Sequence, residues 1–381
     1  MDKLIKALES KDEAERLYAV QDISEKLELE PARLLSEHLA IETSRVVREA
    51  TVFQLKHLNC KDVYPIIFEL FTSSDAYLRN AAVDIFGAGD EDAIAFLTAY
   101  MDHSNREVRK LILDALFAIG TQAAILAIRA GLYDKSINVC ITAVEYLGRL
   151  EDKHSAEEII ALLNDDPEPM LKTAVLDILP RVASESEIAK ALSYLIPQFE
   201  IQNSDPLFIP EILHLVACGA DQDTLCKVLK GINDLSIYAD DFLRAIIDAQ
   251  DRCSSLACNE IIVNKLIEIL KDRTLLENTR HTAGEIIIAS NILSTSDLEA
   301  LGMALADELD KLDQTDGSNN DKEYKKDRLN GGGNGVKNMA YTVVRLLAAS
   351  GTDGANQLVQ KIMESINDDE LKNLCAELFE Q

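Results

Sequence analysis

The chain has 381 residues, 47% hydrophobic but only 5% aromatic and without Trp, so its apolar mass is aliphatic and suits helix packed on helix. Its 66 acidic against 38 basic residues give a formal charge of -28, which repels phosphate backbones and anionic lipid surfaces and argues against nucleic-acid and membrane partners. No stretch reaches the roughly 18 uncharged apolar residues of a membrane span, and seven scattered cysteines (Cys60, Cys140, Cys218, Cys226, Cys253, Cys258, Cys375) suit reduced thiols in a cytoplasmic protein better than a disulfide framework.

The start, MDKLIKALESKDEAERL, is predicted to be an amphipathic helix charged throughout. A motif then recurs as SRVVREATVFQL, AYLRNAAVDIF, REVRKLILDAL, INVCITAVEYL and PMLKTAVLDIL. Anchored on the first core aliphatic, the copies start at Val47, Leu78, Val108, Val139 and Leu171, at intervals of 31, 30, 31 and 32. ERLYAVQDI fits one period earlier with Arg16 at the anchor. Positions +3, +4, +7, +8 and +11 are mostly apolar, as in Leu111, Ile112, Ala115, Leu116 and Ile119, which is one face of a 3.6-period helix. The segments between them, VYPIIFELF, DAIAFLTAYM, QAAILAIRAGL and SAEEIIALL, supply a partner helix for each copy. A pair of about 30 residues cannot bury its own face and must stack on its neighbours. Alternating strand patterns are missing, and turn residues punctuate the helices at GAGDED, RLEDKHS and LNDDPEP.

MDHSNREVRKLILDALFAIG shows the fullest pattern: Asp102 in the turn, Val108-Arg109, then aliphatics to Leu116 and Gly120. Over residues 13 to 182 this resembles the HEAT family, in particular its bacterial short-repeat form, PBS-lyase HEAT-like. The resemblance implies an all-α, α-α superhelix, a right-handed HEAT-like solenoid of about nine or ten helix pairs. It also implies a ladder between repeats, built from the basic residue after each anchor and an Asp in the turn. The basic residues are Arg48, Arg79, Arg109 and Lys172, with Cys140 in the fourth copy; Asp102 and Asp165 sit seven residues before Arg109 and Lys172, whereas Asp75 lies only four before Arg79.

Regular repeats are thus expected over residues 1–182 and longer, irregular ones over 183–312. The later inner helices are placed at FIPEILHLVACGA, DFLRAIIDAQ, NTRHTAGEIIIAS and GVKNMAYTVVRLLAAS, with anchors Ile209, Leu243, Thr279 and Val336. The segment 313–335, DQTDGSNNDKEYKKDRLNGGGNG, lacks the apolar residues to fold and is expected to be a flexible inserted loop, in which Thr315, Ser318 and Tyr324 are candidate modification sites. Residues 336–381 then form a C-terminal helical cap, whose charged final helices suit a monomer.

The candidate binding surface is the +6 position of the inner helices: Asp22, Phe53, Asp84, Asp114, Glu145 and Asp177, with Glu285 late in the array. Position +5 beside it is aliphatic: Val52, Val83, Leu113, Val144 and Leu176. In HEAT arrays the second helix of each pair lines the concave side, so one reading is an acidic, aliphatic-flanked row for a basic, partly apolar protein segment. The other is a solvated helix flank, with +5 packed on the next repeat.

No catalytic site, cofactor or metal is recognised. The di-iron deoxyhypusine hydroxylases resemble this architecture but need His-Glu dipeptides, and none of the six histidines is followed by Glu. Cys253 and Cys258 lack a second pair of ligands at zinc spacing. GGGNG lacks the Lys-Ser/Thr and the strand of a phosphate loop. No Lys/Arg stripe follows the period, as a DNA-binding HEAT array would require, and no G-x-S-x-G elbow occurs. The expected function is a non-enzymatic scaffold or adaptor that binds a protein partner on its concave face. The alternative is a bilin lyase or isomerase-like protein working with a partner subunit, as the resemblance allows.

Overall fold

A computed structural model describes residues 2–23, 29–57, 61–164, 167–196, 200–252, 259–291, 293–315, 333–365 and 372–373. Among the described residues the regular structure is helical throughout, with 21 α-helices, short 3-10 turns and no strand. The chain divides into two units, Met1–Glu187 and Ile188–Gln381.

The first unit begins with α1 (Asp2–Leu8), α2 (Glu13–Gln21), α3 (Leu29–Ile41), α4 (Arg45–Lys56), α5 (Tyr64–Glu69) and α6 (Ala76–Gly87). It continues with α7 (Glu91–Thr98), α8 (Arg106–Ile119), α9 (Gln122–Arg129), α10 (Ile137–Arg149), α11 (Ala156–Ala161) and α12 (Pro169–Val182). The even-numbered helices pack each on the next to form one layer, and odd-numbered helices such as α3, α5, α7 and α9 form the other. The anchors Val47, Leu78, Val108, Val139 and Leu171 are all buried in the even layer. The odd helices are shorter than their apolar segments suggest: the chain after α5 and α9 tightens into 3-10 turns at Leu70–Thr72 and Ala130–Tyr133.

A second periodic signal lies in the turns. Asp12, Ser44, Asp75 and Asn105, four residues before Arg16, Arg48, Arg79 and Arg109, cap α2, α4, α6 and α8 through the backbone N–H groups of Ala14, Val47, Tyr77 and Glu107. Gly120 closes α8 at φ 63°, the left-handed C-cap for which glycine is preferred.

The basic residues after the caps join the repeats. Arg16, Arg48, Arg79 and Arg109 each donate to the carbonyl six residues back, on Ser10, Glu42, Ser73 and His103. Three of them also reach the acid of the following turn: Arg16 to Glu42 at 2.7 and 3.0 Å, Arg48 to Asp75 at 2.8 Å, and Arg109 to Asp134 at 2.7 and 2.8 Å. Asp75, out of register with Arg79, is therefore the partner of Arg48 one repeat earlier. Asp102 is exposed, and Asp134 accepts the Arg109 fork instead. Lys172 is half-buried, and Asp165 lies outside the described residues. Cys140, in the fourth copy, donates its thiol to the Leu132 carbonyl at 3.2 Å, and burial pushes it up to about 11, so it stays protonated. A further pair, Arg129 with Asp152 at 2.6 and 2.7 Å, ties the end of α9 to the turn before α11 and follows no period in the sequence.

In the second unit, reached through α13 (Glu185–Leu195), the helices are α14 (Ile209–Gly219), α15 (Gln222–Gly231), α16 (Leu235–Asp248), α17 (Glu260–Lys271), α18 (Glu277–Ser290), α19 (Thr295–Thr315), α20 (Gly333–Ser350) and α21 (Asp353–Ser365). Here α14, α16, α18 and α20 pack in succession. The anchor at Leu243 falls about two turns inside α16, because Leu235 and Ala239, upstream of it, already lie on the buried face. Helix α19 extends to Thr315 and α20 starts at Gly333, so both ends of the segment 313–335 are helical; residues 316–332, with Ser318 and Tyr324, lie outside the described residues.

The even helices of the first unit approach closely where a side chain is missing. A Cβ on Gly148 of α10 would lie 2.5 Å from Cγ2 of Ile178 on α12. Gly148→Val should therefore destabilise the first unit by about 1–3 kcal/mol, with Gly148→Ala costing less, read as a lowered urea midpoint.

Candidate functional site

The +6 positions of α2, α4, α6, α8, α10 and α12 are equivalent points on adjacent helices, but their side chains are not equivalent in state. Asp22 (which also C-caps α2), Asp84, Glu145 and Asp177 are exposed, with Asp177 4.0 Å from Arg181 one turn on. Phe53 is 61% exposed, its ring centroid 4.5 Å from that of His57. Asp114 is half-buried and accepts the Tyr146 hydroxyl of α10 at 2.5 Å, and Tyr146 stacks on Phe117 at 4.3 Å between centroids. Burial raises the Asp114 carboxyl against the opposing hydrogen bond, and burial followed by that same bond raises the Tyr146 phenol. Asp114 thus joins α8 to α10 rather than standing free for a partner.

The +5 aliphatics do not flank the row as exposed apolar surface. Val52, Leu113, Val144 and Leu176 are buried and Val83 is half-buried, so this position packs inside the unit. Lys110 acts on Asp114, and Arg149 lies 5.9 Å from the Tyr146 ring, so cations are interleaved with the acids. Glu285, in the second unit, is bound to Arg345 of α20, and its other oxygen is buried without a hydrogen bond. It serves the contact between α18 and α20, beside the His281–Thr342 hydrogen bond of 2.5 Å.

In the second unit, the Cys218 sulfur lies 3.7 Å from Nε2 of His214, and Nδ1 of His214 lies 3.8 Å from Oδ2 of Asp248. The nitrogen–oxygen distance exceeds a hydrogen bond, and burial pushes the Cys218 thiol up, so this cluster holds no activated thiolate. Among the described residues no three His, Cys, Asp or Glu side chains are arranged to hold a metal ion; Cys253 and Cys258 lie outside them. No described helix is long and apolar enough to cross a membrane.

A stack of helix pairs in two layers, with repeats joined turn to turn, defines the α-solenoid class. The HEAT-repeat sequence profile matches residues 31–116 and 94–180, so HEAT repeats build this part of the first unit. The match is to HEAT repeats in general and does not single out the short bacterial form. No curated protein matches the chain.

Among solved structures the chain is similar to the karyopherin Kap121p. Bound to the extreme C-terminus of the protein phosphatase Cdc14p, Kap121p matches at 12% identity and a TM-score of 0.54, over 99% of this chain and 49% of the other. Bound to Nup53p it matches at 13% identity and 0.54, over 99% and 48%. Bound to RanGTP it matches at 12% identity and 0.56, over 99% and 44%. The chain spans about half the length of these karyopherin chains, and at such identity the likeness is one of fold.

The turn acids give the first unit a defined response to pH. Glu42 is buried. Burial opposes its ionisation, but hydrogen bonds from Arg16, the Ser44 and Thr43 amides and His38 lower its carboxyl from 4.5 to about 2. Asp134 is lowered in the same sense, with burial again overcome by Arg109 and the Ser136 amide. A carboxylate depressed in the folded state stabilises it above its unfolded pKa, and that stability is lost as pH falls through the folded value. Urea midpoints should therefore fall as pH is lowered from 4.5 toward 2. Glu42→Gln should start lower at neutral pH and show a shallower fall.

Proposed function

We propose that the protein is a non-catalytic protein-interaction scaffold, and that the even-helix row of its first unit docks a basic segment of a partner protein. The supporting observation is the division of labour among the acids. Glu42, Asp75 and Asp134 are consumed between repeats, Asp114 is held by Tyr146, and Asp84 and Glu145 stand exposed at the same helical position. Phe53 adds an exposed aromatic face at that position, on which an arginine or lysine of the partner can pack. The solved karyopherin complexes, whose partners include the end of a phosphatase chain, support a HEAT stack of this fold as a holder of protein segments. Beside the row, Phe117 and Tyr146 are spent on mutual stacking and on Asp114, which gives a bilin-handling role no support.

The test is a comparison of the intact protein with Asp84→Lys plus Glu145→Lys, both exposed, leaving Asp114 untouched. A partner captured stoichiometrically by the intact protein should bind the variant at least about tenfold more weakly, and the intact interaction should weaken with added salt. Equal binding by both would remove the row from the docking surface.

A further inference from the structure

The second unit carries a separate apolar row along the N-terminal ends of its stacked helices. Leu207 before α14, Ile237 in the first turn of α16 and Leu276 at the N-cap of α18 are 61%, 66% and 73% exposed. Two hydrogen bonds place these helix ends side by side. The Tyr238 hydroxyl donates to the Pro206 carbonyl at 3.3 Å, and the Thr279 hydroxyl donates to Oδ1 of Asp240 at 2.7 Å. Leu207 adjoins Pro206, Ile237 adjoins Tyr238, and Leu276 precedes Thr279 by three residues, so one large aliphatic stands at the rim of each of three consecutive helices. In the first unit Val46 of α4 and Met170 of α12 are exposed at the corresponding ends, but on helices that are not neighbours, and α8 between them begins with Arg106 and Glu107.

The surroundings of the row are acidic. Asp205, Asp234 and Asp240 are exposed in or beside the same helix ends, with Asp241 and Glu277 half-buried next to them, against two exposed cations, Arg244, whose charge acts on Asp241, and Arg273 in the turn before α18. Packed helices are spaced about 8–10 Å apart, and residues seven apart on one face of a helix are spaced roughly 10.5 Å apart. We infer that this rim docks an amphipathic helix of another protein, with aliphatic side chains at seven-residue spacing on Leu207, Ile237 and Leu276 and lysines or arginines toward the flanking carboxylates. This surface is independent of the first unit's row, and the two readings stand or fall apart.

The probe is a fluorescein-labelled helical peptide with three leucines at seven-residue intervals flanked by lysines, beside a scrambled peptide of the same composition. Anisotropy titrations with the full chain should show binding at least tenfold tighter for the ordered peptide. Ile237→Gln plus Leu276→Gln, which leaves the charge unchanged, should reduce that binding tenfold or more with the helical circular dichroism intact, and Leu207→Gln should reduce it in part. Asp84→Lys plus Glu145→Lys should leave it unchanged, which separates this surface from the first. Absent binding, equal binding of the scrambled peptide, or unchanged binding by the double variant would overturn the inference. So would a concentration-dependent dimer in sedimentation that the double variant abolishes, since a second copy of the chain would then be the occupant.

Discussion

The first unit depends on one repeated interaction, an arginine at the start of an even helix that holds its own turn and grips the turn of the next repeat. Each of Arg16, Arg48 and Arg109 bonds a carbonyl six residues back and a carboxylate 25 to 27 residues on. The Arg109 fork is the most extreme, because the guanidinium is only 2% exposed and Asp134 is nearly as buried. Two charges taken from water are tolerated only when their donors and acceptors are satisfied, and here Asp134 also takes the Ser136 amide while Arg109 takes the His103 carbonyl. The apolar anchors drive the stacking; the forks set which turn meets which. Where Cys140 stands in the arginine position, a thiol bonded to one carbonyl replaces the fork, so the link is not made at every step.

This constraint bears on function by sorting the acidic residues. A chain with a formal charge of -28 could present carboxylates anywhere, but Glu42, Asp75, Asp134 and Asp152 in the turns are bound internally, and the exposed acids at +6 fall on equivalent points of the even helices. The row is narrower than a uniform acidic stripe. Asp114 is tied to Tyr146, Asp177 sits near Arg181, and the neighbouring aliphatics are packed inside, so the proposed docking surface reduces to Asp84, Glu145 and the face of Phe53.

The repeats were legible because stacking imposes a period. Val47, Leu78, Val108, Val139 and Leu171 each sit on a buried helix face at near-constant intervals, and any shift would rotate that face into solvent. The partners of the arginines were less legible because a carboxylate can reach them from more than one offset. Glu42 and Asp134 lie six residues before the next anchor-linked position, whereas Asp75 lies four before it and doubles as a helix cap, so no single spacing reports the set. Nor does a period reveal that Tyr146, 32 residues on, covers Asp114, since the tyrosine occurs in one copy only. In the second unit the units lengthen and α16 bends at Tyr238, so an anchor read from the apolar pattern alone landed at Leu243, inside the helix.

The most direct test of this account is a double-mutant cycle on the buried fork, Arg109→Met and Asp134→Leu, followed by urea unfolding of the full chain with hydrogen exchange read across residues 76–149. Each single change should cost about 3–5 kcal/mol by stranding a buried charge. The double change should cost less than the sum by more than about 1 kcal/mol, with lost protection shared by α8 and α10. Strict additivity, or single variants as stable as the intact protein, would contradict the claim that this pair joins the repeats.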